Sequence, residues 1–380
     1  MSKVSLIRCE SYNVDQIYSA LKKGIELLGG MDQFLNEKEK ILLKPNLLAS
    51  AHLDKAVITH PSVFEALVKM LASEKKYTVS YGDSPGIGSP GKVSENCGYK
   101  EIAQKYGVAL SEFNKGNTVT FPEGKQTKQF EIAQGVLEAD AIISMSKMKT
   151  HQLTRITGAI KNQLGCVYGL HKQSSHAKFP DAISFSKMLV DLNMLLKPRL
   201  YIMDGILAME GNGPRSGNPT PMNVLLISED PIALDSVFCR LVNLNPEFIP
   251  TIMYGAEFGL GKYKDADIEI VGDDLDKMIN KDFDVIRKPV IAENFGFAAA
   301  FRGLILRKPI IEKNKCVECG ICVEACPVED KAVNFISEDI KKPPEFDYKK
   351  CIRCYCCQEM CPQKAIKVKT PWLGKLLLYR

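Results

Sequence analysis

The sequence predicts an α/β protein with a mainly parallel sheet covered by helices on both faces, followed by a small α+β domain. Three observations lead to this fold class: strand and helix segments alternate through residues 1–275, polar residues follow several strands, and cysteine runs repeat near the C-terminus. A chain of 380 residues exceeds the usual size of one core. We therefore expect an α/β domain at residues 1–280, a connector at 281–310, a small domain at 311–370 and a tail at 371–380.

Short apolar runs bounded by turn residues predict the strands of the sheet. They lie at residues 4–9, 40–43, 77–81, 139–144, 200–204, 223–227 and 268–271. Because helical segments separate most of these runs, we expect the strands to pair mainly in parallel.

Capping residues and turn signals predict the helices between these strands. Asn13 begins the first helix, and Gly29 and Gly30 end it after residue 28. The next helix is expected to begin near Pro61. The others are predicted at residues 93–106, 157–169, 181–197, 231–242 and 250–258.

Charged and polar side chains cluster where the predicted strands end. In open α/β sheets, ligands bind beyond the carboxyl ends of the strands, so we expect the functional site at this edge. Asp83 and Asp204 could bind a metal ion, accept a proton or cap the following turn. The residues at these strand ends are Lys44, Asn46, Asp83, Ser84, Lys147, Lys149, His151 and Asp204.

The lysines that follow the fourth predicted strand indicate an anion site. Lys147, Lys149 and Lys161 lie within 15 residues of one another, and Lys44 could join them from another strand end. Their location at the sheet edge favours a functional role. The alternative is a solvated face, which is the usual role of a charge cluster.

The helix expected to begin at Thr157 and Gly158 would complete the anion site. Its first turn offers free backbone N–H groups, and Asn162 follows within the same segment. Of the five histidines, His151 is the best candidate for proton transfer. Lys147 and Lys149 are the further catalytic candidates.

A glycine-rich loop at residues 211–217 could wrap a phosphate or act as a lid, with Arg215 as its anion contact. The Walker pattern is missing, and no G-x-G-x-x-G follows a strand, so no nucleotide fingerprint is predicted. His171 and His176 could also line the site. Cys97 and Cys166 could approach the site, although buried thiols that act as small apolar side chains are the better interpretation.

Two cysteine runs with the pattern C-x-x-C-x-x-C-x-x-x-C-P predict two [4Fe–4S] clusters. In this spacing the fourth cysteine of each run ligates the other cluster. Structural zinc usually takes one or two C-x-x-C pairs, and disulfide frameworks belong to short secreted chains, so both alternatives fit less well. One cluster would be held by Cys316, Cys319, Cys322 and Cys361, and the other by Cys351, Cys354, Cys357 and Cys326, while Cys356 is a spare thiol.

The cysteine-rich segment resembles the bacterial two-cluster ferredoxin domain over residues 311–370, which implies a small α+β ferredoxin-like fold. Its two halves are an internal duplication, because Lys331-Ala332-Val333 recurs as Lys364-Ala365-Ile366. Free ferredoxins of this kind tend to be strongly acidic, whereas this segment carries 11 Lys/Arg and 10 Asp/Glu. A mobile carrier uses a strong field to steer docking. The balanced charge therefore favours an electron conduit built into a larger protein.

The motifs at the strand ends resemble the family named domain of unknown function 362. The resemblance covers residues 3–275 and implies a fold and a site but no particular reaction. Fusion to a C-terminal ferredoxin domain is common in that family. A more distant likeness to the α/β domain of nickel-dependent lactate racemases is a fold-level analogy. The motifs are Lys44-Pro45-Asn46, Gly82-Asp83-Ser84-Pro85, Lys147-Met148-Lys149-Thr150-His151, Thr157-Gly158-Ala159-Ile160-Lys161-Asn162 with Gly165, Asp204-Gly205, Asp230-Pro231 and Asp235.

Composition argues against several other classes. A net charge of +5 is too weak on this length to indicate nucleic-acid binding. No apolar run approaches the ~18 residues of a membrane span, and the N-terminus lacks the features of a signal peptide. We expect a cytoplasmic protein from an organism that lives with little oxygen. The apolar part of the connector, at residues 297–306, is expected to pack between the domains, and the tail at 372–379 to dock onto the larger domain.

Three functions remain open. The first is an iron–sulfur oxidoreductase that moves electrons between the clusters and an anionic small molecule or organic cofactor, such as a flavin, in the α/β domain. The second is an electron carrier or cofactor-maturation partner without its own small-molecule chemistry. The third is a racemase-like isomerase or lyase. We favour the first, which requires an anionic ligand and a redox partner protein. The oligomeric state is not predicted.

Overall fold

Fifteen strands are found in the described part of the chain. The computed structural model describes residues 1–74, 76–169, 171–290, 305–336 and 342–378. The strands are β1 (Ser2–Arg8), β2 (Lys40–Pro45), β3 (Thr78–Tyr81), β4 (Ala109–Leu110), β5 (Gly116–Thr120), β6 (Gln129–Ala133), β7 (Ala141–His151), β8 (Arg155–Thr157), β9 (Leu200–Glu210), β10 (Asn218–Ser228), β11 (Ile268–Gly272), β12 (Lys308–Ile311), β13 (Val333–Asn334), β14 (Glu345–Phe346) and β15 (Ile366–Lys369).

The α-helices of the described residues alternate with these strands. None of them is both long enough and apolar enough to cross a membrane. They are α1 (Val14–Leu27), α2 (Pro61–Glu74), α3 (Pro90–Asn96), α4 (Tyr99–Tyr106), α5 (Gln134–Leu137), α6 (Ala159–Asn162), α7 (His171–Lys178), α8 (Ala182–Leu196), α9 (Pro231–Leu241), α10 (Pro250–Glu257), α11 (Ile321–Glu324), α12 (Cys356–Met360) and α13 (Trp372–Leu378).

The main sheet has nine strands in the order β11-β1-β10-β9-β7-β2-β3-β4, with β8 paired to β7. Its pairs are parallel from β9 through β7, β2 and β3 to β4, and again between β1 and β11. Only β10, which is antiparallel to β1 and β9, and β8 depart from this direction. The predicted mainly parallel α/β sheet is therefore confirmed.

Alternating side chains of the central strands form two apolar cores, one on each face of the sheet. Leu42 and Ile142 belong to the core covered by α6, α8, α9 and α10. Leu43 and Ile143 belong to the core covered by α1, α2, α3 and α4. Successive residues of a strand point to opposite faces, so both faces of β2 and β7 are buried, as the apolar runs predicted.

The sheet edge that faces the C-terminal domain is built by strands longer than predicted. All eleven residues of β7 are buried, and the strand continues through the lysines to His151 because β9 and β8 pair with its second half. β9 likewise runs past Asp204, and a bulge in β10 contains Met222 and Asn223. The loop between β9 and β10 therefore consists of residues 211–217.

Two predicted helices are also revised. The helix expected at residues 93–106 is two helices, because Gly98 takes a left-handed φ of 78° between α3 and α4. The helix expected at 157–169 is the short α6 followed by a 3-10 turn at Gln163–Cys166. Thr157 belongs to β8 instead.

The small domain consists of two paired β-ribbons around the cysteines. β12 pairs with β15 and β13 with β14, and its core contains Val333 and Ile366 from the duplicated segments. β12 begins at Lys308, three residues before the predicted boundary. Most of the apolar connector segment 297–306 lies outside the described residues. The tail forms α13, in which Trp372 is 71% exposed and Gly374 packs against the Ile305 backbone.

Candidate functional site

A cavity of about 390 Å³ lies at the junction of the two domains. Side chains from the strand ends of the α/β domain form one part of its wall, and the segment around α12 forms another. Nine of the predicted site residues line it: Lys44, Asn46, Asp83, Ser84, Lys149, His151, Thr157, Lys161 and Asn162. Lys172, His176 and, from the small domain, Ala325, Cys356, Glu359 and Met360 also line it.

Lys44 is fully committed to the protein. Its ammonium group forms an ion pair with Asp83 Oδ1 at 2.9 Å and donates to Asn162 Oδ1 at 2.9 Å and to the Pro45 carbonyl at 3.1 Å. The second Asp83 oxygen accepts the Leu47 N–H at 2.6 Å. An ammonium group has three donors, so Lys44 has none left for a ligand. Lys44, Asp83 and Asn162 build the cavity wall.

Lys149 and Lys172 are each held by two acceptors. Lys149 donates to Asn46 Oδ1 and to the Val57 carbonyl, both at 2.7 Å. Lys172 donates to the carbonyls of Ser84 and Pro85. Burial lowers the pKa of each lysine to about 7, and for Lys149 the neighbouring charges of Lys161 and Lys147 act in the same direction. Each keeps one donor for a ligand.

Lys161 is the least restrained cation of the cavity. Its ammonium group lies 5.7 Å from the centre of the Phe185 ring and has no hydrogen-bond or ion-pair partner within the part of the chain that the structure describes. His176 stacks on Phe185 at 4.2 Å. Its Nδ1 is buried and has no hydrogen-bond partner among the described residues. Both side chains are therefore available to a ligand.

A polar contact between His151 and Glu359 joins the two domains. His151 Nε2 lies 2.6 Å from Glu359 Oε1. His151 Nδ1 accepts backbone N–H groups from Leu153 at 3.1 Å and Thr154 at 3.2 Å. Because Nδ1 acts as an acceptor, the proton of the neutral ring resides on Nε2, the nitrogen that lies beside the Glu359 carboxylate.

The electrostatics of this pair agree with a neutral imidazole beside a carboxylate. Burial lowers the pKa of His151. Burial alone would raise the pKa of Glu359, but the adjacent His151 side chain and, to a smaller extent, the charge of Lys161 outweigh it and hold that pKa at about 2. Of the two carboxylates that line the cavity in the described part of the chain, Asp83 is paired with Lys44 and Glu359 is not paired with a lysine.

The expected helix N-terminus does not serve as an anion site. The N–H groups of Ala159 and Ile160 donate to the buried carboxylate of Asp235, at 2.7 and 3.3 Å. Gly158 allows this approach, because a Cβ at that position would overlap Asp235 Oδ1. Asp235 therefore caps α6, and Gly158 has a packing role.

Lys147 and Asp204 lie away from the cavity and form a separate buried ion pair. Lys147 Nζ is 2.7 Å from Asp204 Oδ2 and 2.8 Å from the Tyr12 hydroxyl. The same carboxylate accepts the His60 N–H, and His60 stacks on Tyr12. We therefore replace the catalytic role expected for Lys147, and the ligand-binding role of Asp204, with a structural one.

The glycine-rich loop binds the small domain instead of an anion. Arg215 donates to the Met360 carbonyl at 3.0 Å, and Asn212 donates to the Ile366 carbonyl at 3.3 Å. In return, Gln358 donates to the Asn212 carbonyl at 3.0 Å. The loop thus fixes α12 against the α/β domain, and the expected anion contact through Arg215 is not found.

The eight cysteines of the two runs surround two small pockets. Backbone N–H groups of Ala332 and Ala365 each lie 3.3 Å from a cysteine sulfur, on Cys326 and Cys361, as in sites where such bonds tune a cluster. The chemistry and grouping of these donors fit two [4Fe–4S] clusters. One pocket is lined by Cys316, Cys319, Cys322 and Cys361, and the other by Cys326, Cys351, Cys354 and Cys357.

The two pockets differ in their exposure to solvent. Cys319 of the first pocket is exposed and Cys316 is partly exposed, whereas all four cysteines of the second are buried. The Cys356 thiol hydrogen-bonds Cys354 of the second pocket and also lines the large cavity. Cys356 is therefore part of the wall between that pocket and the cavity.

Sequence reasoning missed Lys172, Cys356 and Glu359 as cavity residues. Glu359 occupies the same place in its run as Glu324 does in the first, yet Glu324 is exposed and Glu359 is buried. Only the packing of the second run against the α/β domain distinguishes them. Of the remaining candidates, His171 is exposed, and Cys97 and Cys166 are buried thiols that are absent from the cavity lining.

The fold and these sites define an iron–sulfur protein in which a 4Fe–4S dicluster domain follows an α/β domain. Residues 308–362 match the 4Fe–4S dicluster domain, and residues 41–240 match the domain of unknown function DUF362. The chain belongs to the DUF362 family. It is 36% identical over 261 residues to a thylakoid-associated protein of Synechocystis, an alignment that covers 68% of this chain and 80% of that protein.

Two solved structures resemble the chain weakly. The lactate racemase apoprotein from Thermoanaerobacterium thermosaccharolyticum has a TM-score of 0.40 and 11% identity, and the match covers 61% of this chain and 55% of that one. A protein from Thermotoga maritima has a TM-score of 0.35 and 14% identity, and the match covers 59% of this chain and 57% of that one. The chain thus spans little more than half of either structure.

Proposed function

We propose that the protein is an oxidoreductase that moves electrons between its two [4Fe–4S] clusters and an anionic small molecule bound in the cavity at the domain junction. A single observation carries the proposal. The cavity wall combines the lysines of the α/β domain with Cys356 and Glu359 from α12, the helix that also contains the cluster ligand Cys357. A molecule in the cavity would contact both sets of residues.

The clusters, when bound, supply one-electron transfer, and a separate redox partner protein supplies or accepts the electrons. The residues of the cavity bind and orient the small molecule. Lys161, with Lys149 and Lys172, attracts its negative charge. His151 holds the Glu359 carboxylate at 2.6 Å and so keeps it in a fixed position on the opposite domain.

The location and the partner form part of the same proposal. The exposed Cys319 pocket gives a redox partner access to one cluster. The Synechocystis relative is associated with thylakoids, whereas for this chain we propose a cytoplasmic location.

Anaerobic purification followed by mass analysis of released small molecules tests the function. We expect an anionic compound to copurify with the wild-type chain and to be lost in Lys161→Met. Added to the chemically reduced protein, it should reoxidise the clusters, which visible absorbance would follow; the same spectrum would reveal a flavin. If the copurified compound, present in excess, neither reoxidises the reduced clusters nor, once chemically reduced itself, reduces the oxidised clusters, the oxidoreductase proposal is wrong.

A further inference from the structure

The lysines that line the cavity carry more positive charge than its unpaired carboxylate, Glu359, can neutralise. Asp83 is already paired with Lys44 at 2.9 Å, so this pair contributes no net charge. Lys149, Lys161 and Lys172 then face a single further carboxylate, Glu359. Three cations against one anion leave an excess of two positive charges when all are ionised.

The unused hydrogen-bond donors are found on the same three lysines. Lys149 and Lys172 each use two of three donors on protein oxygens. Lys161 donates no hydrogen bond to any of the described residues. The buried Nδ1 of His176, which also lacks a partner there, adds one more polar atom on the same wall. Lys149 and His176 are buried, and Lys161 and Lys172 are half-buried. Polar groups removed from water are normally paired, so the unused donors of the lysines beside the unpaired His176 Nδ1 indicate a bound ligand.

We infer that the cavity binds a dianion, such as a phosphate monoester or a dicarboxylate, through Lys149, Lys161 and Lys172. The inference rests on the proposed function, whose anionic ligand it defines further. Lys44, which was expected to join the other lysines from another strand end, is excluded because its ammonium group is held by Asp83, Asn162 and the Pro45 carbonyl.

Protonation supports the same assignment. Burial lowers the pKa of Lys149 and Lys172 to about 7, so each is only partly charged near neutral pH. A dianion beside them favours the charged form. Binding should therefore take up protons from solution.

Isothermal titration calorimetry of the oxidised, cluster-loaded protein tests the inference with sulfate and perchlorate. Both ions are tetrahedral, but sulfate carries two negative charges and perchlorate carries one. We expect sulfate to bind at one site per chain and perchlorate to bind at least about tenfold more weakly. Equal affinities for the two ions would overturn the inference.

Variants identify the residues that bind the dianion. Lys161→Met and Lys172→Met should each weaken sulfate binding by about ten- to a hundredfold, the usual effect of losing a charged hydrogen bond. Lys161→Arg, which keeps the charge, should stay within about threefold. Lys178→Met is the matched control for Lys172→Met, because Lys178 is an exposed residue of the same helix. Unchanged sulfate affinity in folded, cluster-loaded Lys161→Met would overturn the assignment.

Competition separates the two kinds of dianion. Displacement of sulfate by methyl phosphate indicates a phosphate monoester, and displacement by malonate indicates a dicarboxylate; failure of both would contradict the inference. Because no electrons move in the oxidised protein, these titrations report binding alone. Failure to bind sulfate therefore refutes the dianion inference, whereas the reoxidation experiment independently decides the redox function.

Discussion

His151 Nε2 lies 2.6 Å from Glu359 Oε1, and this contact connects β7 of the α/β domain with α12 of the small domain. Neither atom has another partner among the described residues. Both residues line the large cavity. The position of the cluster-bearing helix over the lysines thus depends on this buried contact, on the loop at residues 211–217, and on the hydrogen bonds that Arg307, beside β12, donates to Gln152.

Glu359→Ala should destabilise the protein, because it leaves His151 Nε2 buried without an acceptor. We expect a loss of about 1.5–3 kcal/mol, the usual contribution of a hydrogen bond to a charged group. Thermal unfolding of the cluster-loaded chain measures it. Glu324→Ala, at the equivalent exposed position of the first run, should change stability by no more than about 0.5 kcal/mol. Similar shifts in both variants would argue against the contact.

Lys147→Met should unfold more easily yet bind sulfate normally. Removing one partner of a buried ion pair leaves Asp204 uncompensated, which costs about 3–5 kcal/mol. The double variant Lys147→Met/Asp204→Asn should recover part of that loss, because the amide carries no charge yet keeps an acceptor for the backbone N–H groups of His60 and Ile206. Unfolding midpoints and calorimetric titrations of the same samples provide the measurement. Loss of sulfate affinity in folded Lys147→Met would show that this lysine contributes to ligand binding after all.

Sulfate affinity should decrease as the pH rises above about 7. Lys149 and Lys172 have a folded-state pKa of about 7, below the ordinary value of about 10.4. Between these values the unfolded chain binds more protons, so the stability of the ligand-free protein rises with pH. Binding of sulfate opposes that trend because it requires charged lysines.

Deprotonation of each of these two lysines should weaken sulfate binding by up to about tenfold per pH unit above 7. Sulfate itself keeps its two charges throughout this range, so the change reports the protein. In Lys149→Met, sulfate affinity should fall less steeply with pH than it does in the wild type. An affinity that stays constant from pH 6 to pH 9 would exclude these two lysines from the site.

Removal of single cysteines should reveal that the two runs exchange their fourth ligand. Cys361→Ser and Cys316→Ser should perturb the same cluster, although the residues belong to different runs. Cys326→Ser should perturb the other cluster, as Cys354→Ser does. Electron paramagnetic resonance of the reduced variants distinguishes the two signals. Identical effects of Cys361→Ser and Cys354→Ser would contradict this grouping.

Gly165→Ala should disrupt the cavity wall. A Cβ at that position would overlap Asp83 Oδ1 and lie 2.7 Å from Lys44 Nζ, so the ion pair must separate. We expect a loss of about 1–3 kcal/mol in stability and weaker sulfate binding. Gly91→Ala is the control, because Gly91 lies in α3 with space around it. An equal response of the two variants would show that the packing at Gly165 is unimportant.

The sheet and much of the cavity lining could be predicted from the sequence. Apolar runs and the cap at Asn13 report local structure, and polar residues at the ends of parallel strands converge on one edge. The roles of individual lysines could not be read in this way. Whether Lys44, Lys147 or Lys161 forms an ion pair depends on its distance from the acidic side chains of Asp83, Asp204 and Glu359, which only the three-dimensional arrangement determines.

The contribution of the small domain to the cavity was the feature that the sequence predicted least well. Glu324 and Glu359 occupy equivalent positions in a duplicated motif, and only docking buries the second. The same holds for the glycine-rich loop at residues 211–217, because its composition fits a ligand-binding loop as well as a domain contact. Arg215 binds the Met360 carbonyl, an acceptor that side-chain patterns do not report.

Electron–nuclear double resonance on the reduced protein tests most directly whether the ligand lies beside a cluster. The probe is the phosphorus of bound methyl phosphate or the carbon of labelled malonate, whichever displaces sulfate. We predict a magnetic coupling between that nucleus and a reduced cluster in the wild type, and its loss in Lys161→Met. Saturated binding without any coupling would contradict the proposal that the cavity brings an anion to the clusters.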